Sequence, residues 1–186
     1  MDLKQFYQQT LVLIKPDALE RGLTGEIISR FERVGLRIVQ IKSVIPDKAL
    51  VESHYPITDE WSENVGKRTL ADFEKNGLNV KENLGTDNPI EIGRLVHQWN
   101  VEQFTGAEII ALVIEGVNAI EAVRKICGPT LPLLAQSGTI RGDYSTTSAV
   151  IENSLKKPIR NLVHASGDPD EAKREIKLWF PEWKKD

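Results

Sequence analysis

The chain has 186 residues, 40% hydrophobic and 27% charged, and this composition excludes a disordered protein, a collagen-like fibre and a disulfide-stapled miniprotein. Its 24 basic and 27 acidic residues give a net charge of -3, which makes nucleic-acid binding unfavourable and means that any phosphate binding must be local. The single cysteine, Cys127, cannot form an intrachain disulfide, which favours a reducing, cytoplasmic compartment.

The apolar segments are too short to cross a membrane. The longest uninterrupted run, Ile109–Ile114, has six residues, whereas a membrane-spanning helix needs about 20. The first apolar stretch, Leu11–Ile14, leads directly into Lys15, so no secretory signal peptide is expected.

The start of the chain predicts two strands separated by a helix. Thr10–Ile14 is rich in leucine and β-branched residues and stops before Pro16, as a short buried strand does. Apolar residues at helical spacing follow as far as Gly35, which predicts a helix. Leu36–Val44 alternates between apolar and polar residues and predicts a second strand with a bulge, and residues 47–55 predict a short helix.

The middle of the chain is more polar. Residues 59–104 are interrupted by glycines and a proline, and they predict two or three short surface helices joined by loops. Ile109–Ile114 predicts a buried strand. Asn118 and Glu121 have capping-box spacing and predict the start of a helix that ends at Cys127.

The last elements complete a recognisable order. After an irregular stretch, Arg160–His164 predicts a short strand, and Asp168-Pro169 predicts the start of a helix that runs to about Phe180. Split βαβ units in this order predict an α+β, ferredoxin-like fold, a four-stranded antiparallel sheet with helices on one face. No repeat or linker divides the chain, so residues 1–186 are expected to form one domain.

Two ionisable residues near the end of the chain suggest chemistry. His164 ends a predicted strand and is followed by small residues, while Glu175 lies on the apolar stripe of the last helix. A carboxylate that faces the core needs a partner, and a Glu that accepts a proton from one imidazole nitrogen leaves the other free as a nucleophile. The other histidines, His54 and His97, are expected in surface or capping positions.

Cations and hydrogen-bond donors recur in separate segments and suggest a polyphosphate ligand. The cations are Lys15, Arg124 and Arg141, and the donors are Thr130 and Asn161. Arginine binds phosphate through a planar fork and lysine as a point charge, so together these groups could hold a phosphate chain.

Taken in order, these segments resemble the nucleoside diphosphate kinase family. The resemblance rests on Leu13-Ile14-Lys15-Pro16-Asp17, Arg21-Gly22-Leu23, 25–32, Glu115-Gly116, Val123-Arg124-Lys125, Gly128-Pro129-Thr130, Gly138-Thr139-Ile140-Arg141-Gly142-Asp143, 161–166 and 175–180. Several collinear motifs with the family's spacing cover both ends of the chain and most of its middle.

The resemblance implies a role for each candidate residue. His164 corresponds to the family's phosphate-accepting histidine, Glu175 to the carboxylate that holds its ring, and Ser166 and Tyr55 to a serine and a tyrosine beside it. The phosphate-contacting positions are Lys15, Arg124, Thr130 and Arg141, and Asn161 corresponds to a contact with sugar and phosphates.

The resemblance also implies the reaction and its partners. A nucleoside triphosphate, typically ATP, phosphorylates His164 through Nδ1, and a nucleoside diphosphate then collects the phosphoryl group from the same site in a ping-pong cycle. Mg²⁺ arrives with the nucleotide and is held by phosphates and water, so no protein ligands are assigned to it. Family members are homo-oligomers, hexamers or tetramers, and one of these states is expected here.

The sequence departs from the short family members in length and in several side chains, among them Ala165, where the family more often has glycine. A helical insertion is expected at about 56–107 and a second insertion at about 144–159. Thr69 stands where the family has the phenylalanine that stacks on the base, and Phe73 or another inserted residue would have to replace it. Both insertions fall between motifs, which favours a long-form variant over a loss of activity.

Three other functions compete with this hypothesis. A catalytically silent, nucleotide-binding regulatory module would share the fold, because fold does not fix function. A metal hydrolase would use His54, His97 and His164 as ligands, although their spacing is not typical of a metal site. Nucleic-acid binding is disfavoured by the acidic balance of charges.

Overall fold

The computed structural model describes residue 3 and residues 6–183 of the chain. These residues contain a four-stranded sheet built from β1 (Tyr7–Ile14), β2 (Arg37–Val44), β3 (Ile109–Val117) and β4 (Val163–Ala165). The strand order is β2-β3-β1-β4, and every neighbouring pair is antiparallel. This topology confirms the predicted α+β, ferredoxin-like fold. The predicted bulge in β2 lies between Ile38 and Gln40.

Helices connect and surround the strands. The described residues form α1 (Pro16–Leu19), α2 (Thr24–Glu32), α3 (Lys48–His54), α4 (Asp59–Lys75), α5 (Val80–Leu84), α6 (Pro89–Phe104), α7 (Ala119–Cys127), α8 (Ile140–Tyr144), α9 (Ala149–Ser154) and α10 (Pro169–Trp179), with a 3-10 turn at Pro132–Leu134. The stretch between α7 and β4, expected to be irregular, therefore contains α8 and α9. Within the described ranges, no helix combines the length and the apolar character that a membrane span requires.

Helices cover both faces of the sheet, so the expectation that they lie on one face is wrong. Successive strand side chains point to opposite faces. On β1, Val12 and Ile14 pack with α2 and α7, whereas Leu11 and Leu13 pack with α3, α6 and α10. The uninterrupted apolar run in β3 agrees with this arrangement, because a strand with one solvated face alternates between apolar and polar residues.

Residues 59–104 form two long helices, α4 and α6, with the short α5 between them, so the expectation of only short surface helices is wrong. The two long helices meet at glycines. A Cβ on Gly66 would lie 1.9 Å from the Pro89 carbonyl oxygen, and one on Gly93 would lie 2.0 Å from the Ser62 carbonyl oxygen. Phe73 is among the apolar side chains buried between these helices. Two of the glycines that suggested helix breaks, Gly66 and Gly93, are therefore positions of close backbone contact within helices.

The two predicted helix starts differ in their capping. At α10, the Asp168 carboxylate accepts a hydrogen bond from the Glu171 N–H at 2.8 Å, as predicted. At α7, Asn118 has a left-handed backbone (φ 50°) and makes no side-chain cap, so the predicted capping box is not formed. Asparagine tolerates this conformation better than most residues, which explains its presence before the helix.

Candidate active site

A cavity of about 690 Å³ lies between the ends of β1 and β4 and the helices α4, α6, α8 and α9. Seven of the nine candidate residues line it, namely Lys15, Tyr55, Arg124, Thr130, Arg141, Asn161 and His164. The other two, Ser166 and Glu175, are fully buried and share a hydrogen bond of 2.7 Å. The fold therefore brings residues from distant parts of the chain to one place.

His164 and Glu175 form the pair that the sequence predicts. The Nε2 atom of His164 lies 3.1 and 3.0 Å from the two carboxylate oxygens of Glu175. Because a carboxylate accepts hydrogen bonds, Nε2 carries the proton and Nδ1 keeps its lone pair. The Ser166 hydroxyl donates to Glu175 and accepts from the Leu11 N–H, at 3.3 Å, so it fixes the carboxylate in turn.

Burial disfavours the charged forms of both residues of this pair. Burial lowers the pKa of His164, and the nearby Arg141 and Lys15 lower it further. Burial also raises the pKa of Glu175, while His54 and Ser166 act in the opposite direction. The imidazole of His164 is therefore neutral at physiological pH, as a nucleophile must be.

The turn before His164 has an unusual backbone. Leu162 has a φ of 71°, and the Val163 N–H donates to the Asn161 carbonyl at 2.8 Å, which closes a three-residue turn. A left-handed leucine is strained by about 1–3 kcal/mol, and such strain concentrates at functional sites. The sequence predicts that the last strand begins at Arg160. The turn explains why β4 begins only at Val163.

Arg141 and Lys15 are held by backbone carbonyls. Arg141 is 7% exposed, and it donates through Nε to Asn161 at 3.1 Å and through its terminal nitrogens to Gly128 and Val163. Two of its five N–H groups remain for a ligand. Lys15 donates to the Asn161 side chain at 2.9 Å and to the Ile159 carbonyl at 3.0 Å, and burial lowers its pKa to about 8. Lys15 is thus still mostly charged at neutral pH.

The cavity is positively charged, although the chain is acidic overall. Five of its lining residues are cations, Lys15, Arg68, Arg124, Lys125 and Arg141, and one, Asp72, is acidic. Sequence analysis did not identify Arg68 and Lys125, because Arg68 lies in the insertion and Lys125 follows another cation on α7. Thr130 is exposed, and its carbonyl accepts a hydrogen bond from the Asn161 side chain at 2.9 Å.

His54 lies beside the His164–Glu175 pair, and sequence analysis missed it. The expectation of a surface or capping position is wrong, because His54 is only 1% exposed and its ring centroid lies 4.4 Å from that of His164. Its Nδ1 accepts from the Trp179 indole at 3.2 Å and lies 3.4 Å from Glu175. Burial lowers its pKa to about 3, so this ring is neutral too. The signal in the sequence is the position of His54 in α3, on the same face as the buried Val51 three residues earlier.

His97 behaves as predicted, and the three-histidine metal site is not formed. Its Nε2 lies 2.8 Å from the Tyr55 carbonyl at the end of α3. Among the described residues, His54, His164 and Glu175 are the group whose ligand atoms lie close enough to hold a metal, within 4.8 Å of one another. Hydrogen bonds already join Glu175 to His164 and Ser166, and His54 to Trp179, as in a structural network.

The far end of the cavity is formed by α4, α6 and α9. Thr69 lines it, whereas Phe73 is fully buried, so the suggestion that Phe73 stacks on a base is wrong. Trp61 lines the same end and is 37% exposed. Tyr55 lies nearer to His164, with ring centroids 6.0 Å apart, and burial raises the pKa of its hydroxyl, which stays protonated.

Comparisons with known proteins agree on one family. The family model described as nucleoside diphosphate kinase matches residues 8–67 and 91–184. A nucleoside diphosphate kinase of Pyrobaculum aerophilum is 44% identical over 175 residues, 94% of this chain and 96% of that protein. One from Borreliella burgdorferi is 37% identical over 93% of this chain and 87% of its own length.

Two solved structures are similar over nearly the whole chain. The crystal structure of an NDP kinase from Pyrobaculum aerophilum has a TM-score of 0.89 and 42% identity, and covers 94% of this chain and 96% of that one. A transition-state mimic of the Borrelia burgdorferi enzyme, with bound vanadate and ADP, has a TM-score of 0.76 and 35% identity, and covers 98% and 95%. These relatives are enzymes, which favours a kinase over a silent regulatory module. The chain belongs to the nucleoside diphosphate kinase family.

Proposed function

We propose that this kinase transfers the γ-phosphate of a nucleoside triphosphate to a nucleoside diphosphate in a ping-pong cycle, with a phosphohistidine formed on His164. The observation that carries the proposal is the His164–Glu175 pair at the wall of a positively charged cavity. In the first half-reaction, the Nδ1 lone pair forms a bond to the γ-phosphorus while the bond to the β,γ-bridging oxygen breaks. The diphosphate leaves with that electron pair.

Glu175 and Ser166 support this step without touching the nucleotide. As Nδ1 attacks, positive charge develops on the imidazole, and the carboxylate that accepts the hydrogen bond from Nε2–H stabilises it. Ser166 holds the carboxylate at 2.7 Å. In the second half-reaction, a terminal oxygen of another diphosphate attacks the phosphorus, and Nδ1 regains its lone pair.

The cations of the cavity neutralise the phosphate oxygens. Lys15, Arg124 and Arg141 are placed to bind them with Thr130 and Asn161, and the two remaining N–H groups of Arg141 suit a phosphate fork. Because these donors lie at the His164 end, the nucleoside lies toward α4, α6 and α9. Tyr55 stays protonated and can donate a hydrogen bond beside the reacting group.

The cavity offers few protein ligands for Mg²⁺, whereas the phosphates of a nucleotide offer several. Asp72 is the one carboxylate among the lining residues, and it lies on α4 among residues of the nucleoside end. Oxygen ligands for Mg²⁺ are therefore supplied by phosphates and water, as in many nucleotide sites. When bound, the ion supplies charge neutralisation between the β- and γ-phosphates.

We also propose one domain with two insertions, at about 56–107 and about 144–159. The family model, which leaves out residues 68–90, supports the first of them. A homo-oligomer, hexamer or tetramer, and a cytoplasmic location remain part of this proposal, the latter supported by the single buried cysteine.

The decisive experiment is labelling with γ-³²P-ATP and Mg²⁺. We expect stoichiometric label that is acid-labile, alkali-stable and transferable to added GDP, and no label on His164→Ala. His97→Gln is the matched control, because it removes a histidine that does not line the cavity, and it should keep the label. Label that persists on folded His164→Ala, or none on the wild type, contradicts the proposal.

A further inference from the structure

The strand that carries His164 depends on its neighbours for its position. β4 has three residues and pairs with β1 through Val12, Leu13 and Ile14. A slip of one residue in this register would turn His164 to the opposite face of the sheet. Because β4 is short, it has few ladder hydrogen bonds that prevent such a slip. The contacts just before the strand therefore help to fix its register.

Arg141 holds the carbonyls of Asn161 and Val163 on either side of Leu162, and the Lys15-Pro16-Asp17 segment holds Leu162 itself. The left-handed Leu162 donates its N–H to the Asp17 carboxylate at 3.0 Å, and its carbonyl accepts from the Lys15 N–H at 2.9 Å. Both polar groups of the strained residue are thus bound by one segment at the end of β1. Asp17 is 6% exposed and does not line the cavity, so the proposed reaction gives it no role.

We propose that Asp17 is a positioning residue for phosphoryl transfer, and that its carboxylate holds the left-handed turn at Leu162 and thereby aims the His164 ring. This inference rests on the proposed role of His164. The carboxylate acts as an acceptor at a position where the backbone would otherwise relax toward an extended conformation. Relaxation there would displace the ring from the phosphate, and a misplacement of about 1 Å lowers a rate by about 10²-fold.

A purely electrostatic role for Asp17 makes a different prediction. The carboxylate interacts with the charge of Lys15 and with that of Arg141. If that charge were what matters, any neutral residue would impair the enzyme equally. Asp17→Asn separates the two roles, because it removes the charge and keeps an oxygen that can accept from Leu162.

The test measures the rate constant of His164 phosphorylation at saturating ATP, together with the dissociation constant of ADP. For Asp17→Ala we expect a rate about 10²-fold lower and an ADP constant within about threefold of the wild type. For Asp17→Asn we expect a rate within about fivefold of the wild type. Glu20→Ala is the matched control, because it removes an exposed acid next to α1 and should leave the rate unchanged.

Hydrogen exchange gives a readout that does not depend on activity. We expect the Leu162 amide to be protected in the wild type and in Asp17→Asn, and to exchange faster in Asp17→Ala. If Asp17→Ala does not fold, hydrogen exchange in the wild type and in Asp17→Asn still tests the inference. An unprotected Leu162 amide in either of these proteins overturns it. Wild-type rates in Asp17→Ala, or equal losses in both variants, also overturn it. A wild type that is not phosphorylated at all contradicts the proposed function instead.

Discussion

The two ends of the cavity are built differently. At the His164 end, three polar side chains have several partners each: Arg141 binds three carbonyls, Lys15 two acceptors, and Glu175 both His164 and Ser166. At the end formed by the inserted helices, Asn153 makes one long contact with Thr69, at 3.4 Å, and its side-chain oxygen is buried without a partner among the described residues.

The difference matches what each end has to do. The reacting phosphates are the same for every nucleotide, and groups fixed in advance stabilise a transition state without reorganising. The nucleosides differ, and a wall whose side chains are held by fewer partners can adjust to more than one of them. We therefore expect changes at the first end to lower the rate and changes at the second to lower the affinity.

Arg141→Ala should have the largest effect. It removes the positive charge next to the phosphates and the hydrogen bonds to three backbone carbonyls. We therefore expect kcat to fall by about 10³-fold. Label should still appear slowly on His164, because the nucleophile is intact. Arg141→Lys keeps the charge but cannot make three such bonds. If it matched the wild type in single-turnover kinetics, the rigidity of this end would be irrelevant to the rate.

Glu175→Gln should lower the phosphorylation rate by about 10²-fold without lowering stability. Burial raises the pKa of Glu175, so its charge is unfavourable in the folded protein and the neutral amide relieves that penalty. We expect a melting temperature equal to or above that of the wild type. A parallel loss of rate and stability would mean that Glu175 acts mainly in packing.

His54→Asn should change how stability depends on pH. Burial lowers the pKa of His54 to about 3, whereas the unfolded value is about 6.5. Between these values the unfolded chain binds a proton that the folded chain does not, so the free energy of unfolding falls as the pH drops below about 6.5, by about 1.4 kcal/mol per pH unit. In the variant the free energy of unfolding should depend less steeply on pH, by the contribution of one proton, about 1.4 kcal/mol per pH unit.

Urea denaturation between about pH 5 and 6.5 measures this slope. The asparagine oxygen can still accept from the Trp179 indole, which makes it a suitable replacement. The contribution of His164 is present in both proteins and drops out of the difference. Identical slopes would show that the His54 ring gains its proton as easily when folded as when unfolded.

Asn153→Ala should have the smallest effect. Unlike the changes at the His164 end, it should lower the affinity for nucleotide and not the rate. Asn153 lines the nucleoside end, and we expect its replacement to weaken nucleotide binding by about 1 kcal/mol, or about fivefold, which is the contribution of one hydrogen bond. The rate at saturation should not change, because the nucleophile end is untouched. Equilibrium titration with ADP and single-turnover kinetics separate the two quantities. A loss in the saturated rate would mean that the two ends are not independent.

Much of the site follows from local sequence patterns. Glu175 lies on the apolar stripe of an amphipathic helix, and this position alone indicates a buried carboxylate with a partner. Lys15 comes at the end of a buried strand, where a side chain is placed firmly. The order of strands and helices along the chain was enough to predict the topology of the sheet.

The rest depends on contacts between distant segments, which local patterns do not encode. His54 was predicted at the surface because its neighbours in the chain are polar, whereas α10 covers it in the fold. Gly66 and Gly93 resemble helix breakers until two helices are seen to touch there. The left-handed backbone of Leu162 has no signature, since leucine rarely adopts it.

The contact between α4 and α6 also sets a dimension of the substrate site. Gly66 lies on α4 between Trp61 and Arg68, and Gly93 lies on α6 three residues before Val96. Because backbone meets backbone at both glycines, the spacing of the two helices fixes how wide the nucleoside end is. An added methyl group at either glycine would push the helices apart and change which nucleosides fit, so selectivity can be altered from a position that no nucleotide ever meets.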